Sequence, residues 1–501
     1  MKYSSALKIF VANRIPRHLY YLASFAFAAC LVLMGVGPFL PIWVPLQWGY
    51  YCPPRILLII AITVLLFFRY FVARSHNQCV KRRTIAFRWL LLGLLASPII
   101  AGVISKSLAI KQISDYGDYL RLGSYLSKNG LEGLLQLDAW RPPGMAFILA
   151  IPLKLGLTYN QAVWSVNSLS LVLAVAGLSH ISSGLQVERT RGITAVLIAI
   201  PLVALFLTIA ASEIPAFAIQ MLTIALFPMD KLTLKAVSAW KWLAAGCFTA
   251  LAALFRPVLL VQLLALTVSA IFVCGMHCST WTMRLKRIGI AISLIFIGFG
   301  VTMAPVTLRN YHKYHAFLLI SYNGGEVFYA SNKSAEFDQQ GKYLPSHYRE
   351  LRNEIPDPLK RNAIGFKRGL MAILKHPFVF VNSFPFRAGM MLGGLLTWPA
   401  DYIGHANLSK IEPALLTNAL QSVCLFSGWV ILLLVGKSRI IIMNAIKRRF
   451  VEHWVLWCFI MVLISSMCFE CLPRYSITLV PYILATIVFS VRAYSLEHPE
   501  V

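Results

Sequence analysis

Residues 114–130 read "SDYGDYLRLGSYLSKNG", a polar stretch that follows directly on the apolar run 89–110. It holds Asp115 and Asp118 in a chain of 501 residues that is 58% hydrophobic and only 13% charged. A soluble domain balances those two classes more evenly. Apolar runs long enough to cross ~30 Å of hydrocarbon recur along the whole length. They lack the strict alternation of a membrane barrel, so the spans are expected to be helices. The two aspartates therefore sit in a loop between spans, and the side that this loop faces sets the topology.

Charge decides the side. Lys and Arg number 46 against 19 Asp and Glu, a net charge of +27. In a soluble protein that excess suggests nucleic acid; here much of it lies in short loops between apolar runs, where it sets orientation. Lys2, Lys8, Arg14 and Arg17 place the first residues inside. Spans are read at 19–37, 55–73 and 88–108, with "RSHNQCVKRRT" inside, which leaves 114–130 outside. Further spans at 161–183, 193–211, 214–229, 242–255, 258–274, 288–307, 413–435, 453–469 and 476–491 keep the parity. The expectation is an all-α polytopic membrane protein of roughly twelve spans with both ends cytoplasmic. Residues 142–157 are too short to span and are read as an interfacial helix, while 378–398 is read as interfacial or re-entrant. Residues 309–410 form a long outer segment, expected to be a small α/β or irregular part. Within it "LLISYNGGEVFYAS" has the Asn-Gly turn and alternation of a hairpin. Residues 1–87 read as a two-helix addition, 88–308 as a membrane core whose first outer loop is 109–160, and 411–501 as closing helices.

Asp115 and Asp118 are either two ordinary solvated acids or working carboxylates. Tyr116, Tyr119 and Tyr125, with Leu120, Leu122 and Leu126 at helical spacing, suggest a helix along the membrane. A carboxylate held against apolar surface is desolvated, which suits it to accept a proton from a hydroxyl. In "AWRPPGMAFILA", 139–150, two prolines open a helix and set Arg141 at its N-terminal end. Arg141 is either a snorkelling anchor or a phosphate clamp. Glu213, beside Pro215, fits a helix start through the backbone dipole and equally a substrate contact. Arg69 and Arg256 are charges within apolar runs near span ends, and no role is assigned to them. Glu470 and Arg474 stand four apart in "ECLPRY", spaced to pair. Cys468 and Cys471 in "CFEC" are close enough in sequence for a disulfide, which spacing alone does not establish.

Taken together, "SDYGDYLRLGSYLSKNG" and "RPPGMAFILA" resemble the GT-C glycosyltransferases, in the bacterial branch of the protein O-mannosyltransferases and lipid A aminoarabinose transferases. Asp115, Tyr119, Gly123, Leu126, Gly130 and Arg141 to Gly144 match that branch, with Gly123 where Ala is more usual. "SEIP" at 212–215, "LFRP" at 254–257, "LRNYHKY" at 308–314, "SYNGG" at 321–325 and "ECLPRYSITLVP" at 470–481 follow in the family's order. The likeness runs over 88–491.

That resemblance implies a transferase moving a sugar from a polyprenyl-phosphate donor to a glycolipid, polysaccharide or protein acceptor at the outer face, with inversion. Asp115 would be the general base. Arg141, Arg309 and Arg474 would meet the departing lipid phosphate, whose charge needs cations at headgroup level. Tyr119, Glu213, Tyr322, Asn323, Glu470 and Tyr475 would contact substrate or support those groups, whereas Asp118 does not match the family's usual acidic position and is read as a supporting or metal-binding candidate. No cofactor is expected, and a divalent metal is not favoured because no dense acidic cluster lies outside the membrane. Two alternatives stay open: a carrier or flippase for a lipid-linked sugar, and an O-antigen polymerase or ligase using a diphosphate-linked donor.

Overall fold

The computed structural model describes residues 114–184, 209–227, 237–276, 280–337, 346–382, 450–469, 473–482 and 484–485. Over these residues the chain is helical and contains no strand. The expected spans 19–37, 55–73, 88–108 and 413–435, and most of 193–211, lie outside the described residues, as do Glu470 and Cys471.

Helix α1 (Ser114–Gln136) is broken at Gly130, whose φ of 54° only glycine adopts freely. Before the break, Asp115, Tyr116, Tyr119, Leu120, Gly123 and Leu126 turn inward at helical spacing. The chain then turns through 137–143 into α2 (Gly144–Lys154), the short helix expected after the paired prolines, with Pro143 just ahead of its first turn. Helices α3 (Tyr159–Gly184), α4 (Glu213–Ala225) and α5 (Ala239–Phe255) follow, each packed on the one before or after it. Arg256 precedes Pro257, and the proline drives it into an extended conformation, φ −141° and ψ 103°. That residue separates α5 from a 3-10 turn (Pro257–Leu260) and from α6 (Val261–Met276).

Helix α7 (Trp281–Tyr314) covers the expected 288–307 span and extends beyond it at both ends. At 1.5 Å per residue it is about 50 Å long, more than a bilayer core needs. Its side chains Ile290, Phe296, Ile297 and Val301 are exposed in mid-helix, an arrangement suited to lipid and not to water. Among the described residues, α7 and 159–178 of α3 are the helices long and apolar enough to cross a membrane. Helices α5 and α7 lie back to back. A Cβ added at Gly246 would fall 2.1 Å from the Ile295 carbonyl oxygen, and one at Gly298 2.1 Å from that of Leu243. Two backbones this close need glycine on both sides.

The outer segment departs from expectation. It is neither α/β nor irregular where described, but a group of helices: α8 (Gly324–Phe337), α9 (Ser346–Glu354), α10 (Pro358–Lys375) and α11 (Pro377–Asn382). The hairpin expected at Asn323–Gly324 is the start of α8 instead. Gly325, Glu326, Tyr329, Ala330 and Asn332 are buried, a 3.6-residue rhythm that tertiary packing selects over the local turn signal. Helix α10 starts cleanly: the Asp357 carboxylate accepts from the backbone N–H groups of Leu359 at 2.9 Å and Lys360 at 3.2 Å, and Pro358 takes the first turn. Helix α12 (Phe450–Phe469) packs on α6 and α8. The C-terminal turn Pro473–Thr478 is tied to α4 by Gln220, which donates to the Thr478 carbonyl at 3.1 Å and to the Tyr482 hydroxyl at 2.9 Å.

Candidate active site

The first turn of α1 and the link between α1 and α2 meet at one ion-paired cluster. Arg141 sits 2.5 Å from the Asp115 carboxylate through Nη2 and 3.3 Å from Asp118 through Nε. Asp115 is 8% exposed, so this pair is largely shielded from water. The Arg141 guanidinium is the counter-ion that allows this carboxylate to be buried. A deprotonated carboxylate is the form that accepts a proton. Asp118 is more open and also meets Arg121 at 3.3 Å. Gly144 explains how the link is held. A Cβ there would sit 2.8 Å from the Leu254 carbonyl oxygen, so the start of α2 rests against the end of α5.

That contact brings a second pair close to the first. Glu213, fully buried at the head of α4, is bonded by Arg256 at 2.5 Å. The Arg256 guanidinium lies over the Tyr475 ring, 4.2 Å from its centroid. Tyr119 stands between the pairs: its hydroxyl and the Glu213 carboxylate are each 3.5 Å from the Ser212 hydroxyl, the outer limit of a hydrogen bond. Burial, and then the charge of Asp115, push the Tyr119 phenol above its ordinary range, so it stays a neutral hydroxyl. Thus α1, the α1–α2 link, α4, the end of α5 and the C-terminal turn present one strip of paired charges inside apolar packing.

A third group flanks Arg141. Asp138 accepts from the hydroxyls of Tyr314 and Tyr322, both at 2.8 Å, and the Tyr322 backbone N–H donates to the Ala139 carbonyl at 3.1 Å. Burial, and then this bond to Asp138, push the Tyr322 phenol well up. Lys313 donates to the carbonyls of Gln136 at 2.5 Å and Leu137 at 3.2 Å, closing α7 onto the same link. Trp140 lies beneath Arg352, 4.3 Å from guanidinium carbon to ring centroid, with Arg141 on the same ring at 5.5 Å. Arg352 in turn meets Glu326 at 3.1 Å, and Arg361 bonds the same carboxylate. Two arginines on one wholly buried acid leave a local positive excess beside Arg141.

Of the residues singled out in the sequence, Asp115, Asp118 and Arg141 are joined directly, and Tyr119, Glu213 and Tyr475 adjoin them. Tyr322 reaches the cluster through Asp138. Asn323 lies at the head of α8, where its side-chain oxygen accepts from the Ser321 hydroxyl at 3.0 Å. Arg309 is buried with its guanidinium on the Asn310 side chain; its charge faces Asp138 and Tyr314 rather than Asp115. Arg474 lies in the C-terminal turn, and Glu470 is outside the described residues. The sequence marked Arg256 as a charge in an apolar run without giving it a role, and Asp138, Trp140, Glu326, Arg352 and Arg361 were missed. A signal existed for the first: a charge within an apolar run demands a partner, and Glu213 is a nearby acid of the same kind.

No protein-family model matches the chain, and no curated protein matches it. Two solved structures are similar over most of its length. One is the archaeal oligosaccharyltransferase AglB from Archaeoglobus fulgidus, in complex with an inhibitory peptide and a dolichol-phosphate: 15% identity, TM-score 0.41, covering 81% of this chain and 52% of that one. The other is ArnT from Cupriavidus metallidurans bound to undecaprenyl phosphate: 13% identity, TM-score 0.34, covering 82% of this chain and 79% of that one. The chain thus spans about half the length of the archaeal protein.

Proposed function

We propose that this chain is a multi-pass membrane glycosyltransferase of the GT-C type. It transfers a sugar from a polyprenyl-phosphate donor to a cell-envelope acceptor at the outer face of the inner membrane. The observation that carries this reading is the 2.5 Å pair between Asp115 and Arg141, a base and a phosphate-seeking cation in one shielded place. The membrane setting rests on composition, on the recurring apolar runs and on the lipid-suited face of α7. The site class rests on the sequence resemblance of residues 114–130 and 141–150.

In the reaction, Asp115 accepts the proton of an acceptor hydroxyl as its oxygen attacks the anomeric carbon. A new carbon–oxygen bond forms there while the bond to the lipid phosphate oxygen breaks, with inversion, and the electron pair leaves on the phosphate. Arg141, held by Asp115 and Asp118, meets that developing charge. Arg352, beside it over Trp140, adds a second positive charge at the same level. Tyr119 and the Glu213–Arg256 pair fix the wall opposite, and with it the base. An acceptor that is a glycolipid, polysaccharide or protein fits equally.

The test is reconstituted full-length protein given a labelled polyprenyl-phosphate sugar and an envelope-lipid extract. Label passing to an acceptor, and lost in Asp115→Asn, is the expected result. Label crossing the bilayer without transfer sinks the enzyme reading in favour of a carrier. Transfer that persists in Asp115→Asn removes the assigned base.

A further inference from the structure

Helix α10 has three faces, and two of them are accounted for within the protein. Gly365, Gly369 and Ala372 are buried against α8, while Arg361 and Arg368 turn back onto Glu326 and Glu354. The remaining face is apolar and open. Leu370, Met371 and Leu374 are exposed, and the stripe continues into α11 through Phe378, the most exposed large apolar residue described, at 83%. Lys360 and Lys367 lie on this same face toward its N-terminal end and Lys375 stands beside its C-terminal end, and the helix holds five basic residues and no acid. Its position is fixed independently. Phe366, at the edge of the stripe, meets Phe469 at 6.1 Å between ring centroids, and Asn332 of α8 donates to the Cys468 carbonyl at 3.0 Å. Phe469 closes α12, at the point where the 453–469 span reaches the outer surface. Helix α10 therefore lies at headgroup height.

We infer that α10 and the start of α11 seat their apolar face in the outer leaflet of the same bilayer, with the flanking lysines on anionic lipid headgroups. An amphipathic helix with an acid-free basic border is the chemistry that such a surface selects. The seating has a consequence for the site. Arg361 of this helix shares Glu326 with Arg352, which covers Trp140 beside Arg141, so the depth of α10 in the membrane sets where the outer wall of the site stands. This inference rests on the membrane reading above, not on the glycosyl-transfer chemistry.

The test is photo-crosslinking of the full-length protein in phosphatidylcholine vesicles, with and without phosphatidylglycerol, using a phospholipid that carries a diazirine high in its acyl chain. Tryptic peptide 369–375 reports α10, and peptide 288–309 of α7 is the internal control. Labelling of 369–375 should rise roughly fivefold or more with the anionic lipid, and the combined Lys360→Gln and Lys367→Gln variant, which keeps the cleavage sites at Arg368 and Lys375, should lose most of that rise. Leu370→Glu with Leu374→Glu should abolish labelling of 369–375 while 288–309 stays labelled, which shows that the protein is still inserted. Labelled 288–309 with unlabelled 369–375 overturns the inference and leaves the membrane reading intact. Equal labelling in both vesicles, or adducts between two protein copies in place of lipid adducts, also overturns it. Unlabelled 288–309 removes the membrane reading and this inference together.

Discussion

At the scale of the residue, Asp115 and Arg141 were legible as candidates because they sit in two motifs close in sequence, 114–130 and 139–150, whose residue types and spacing can be read without tertiary structure. Replacing Asp115 with Asn keeps a group that can accept from Arg141 but cannot take a proton. Transfer should fall about 10²- to 10⁴-fold, the usual contribution of a general base, with insertion and melting little changed. A steady-state rate measured against a melting curve on the same preparation decides it. Arg256 was not legible in this way. Its partner Glu213 is 43 positions away, and that proximity comes only from the packing of α4 on α5 and the proline that ends α5. Arg256→Ala strands a fully buried carboxylate and should destabilise the protein by about 3–5 kcal/mol. Replacing both partners with Leu and Met should cost less, because no charge is left alone. Equal losses for the single and double replacements, in a denaturation series in detergent, would show that the pair is not isolated from water.

At the scale of the element, apolar runs located the helices well, since hydropathy and length alone define a membrane helix. Runs 161–183, 242–255 and 453–469 correspond closely to α3, α5 and α12. The outer segment was misread for an equally physical reason. "SYNGG" satisfies a two-residue hairpin turn locally, but α8 gains burial of Glu326, Tyr329, Ala330 and Asn332 against other helices, and no local pattern encodes that gain. Close packing between helices was also invisible before the fold was known. Gly246→Ala would set a Cβ 2.1 Å from the Ile295 carbonyl oxygen, which backbone movement alone can relieve. We expect α5 and α7 to separate at a cost of about 1–3 kcal/mol, seen as a lower melting temperature. Gly289→Ala, on the same α7 but with open space around it, serves as the control and should leave melting nearly unchanged. A matching loss in both variants would mean that the close approach of Gly246 to Ile295 is not what sets the cost, since the unfolded-chain effect of Gly→Ala is stabilising in both.

At the scale of the whole molecule, the site is assembled from parts distant in sequence, and Glu326 is where the outer helices lock onto the loop that carries Arg141. Its carboxylate is wholly buried, receives Arg352 and Arg361, and so ties α8, α9 and α10 together. Through Arg352 it also holds the Trp140 ring, whose backbone neighbours Ala139 and Arg141 belong to the α1–α2 link. Glu326→Ala leaves two guanidinium groups facing one another without an acid between them. Their repulsion should free α9 and α10 from α8 while α3 and α7, which supply neither of its arginine partners, keep their packing. Hydrogen exchange should therefore accelerate in 346–375 and not in 159–178. The Asp115–Arg141 pair does not pass through Glu326, but Arg352 does, so the donor KM should rise and kcat should fall, each several-fold, with most of the rate retained. A collapse of kcat with unchanged KM would instead place Glu326 in the chemistry itself. If exchange stays slow throughout 346–375, the outer helices are held by their apolar contacts, chiefly Phe328 on Phe366 and Phe469, and the arginine pairs only align what those contacts already fix.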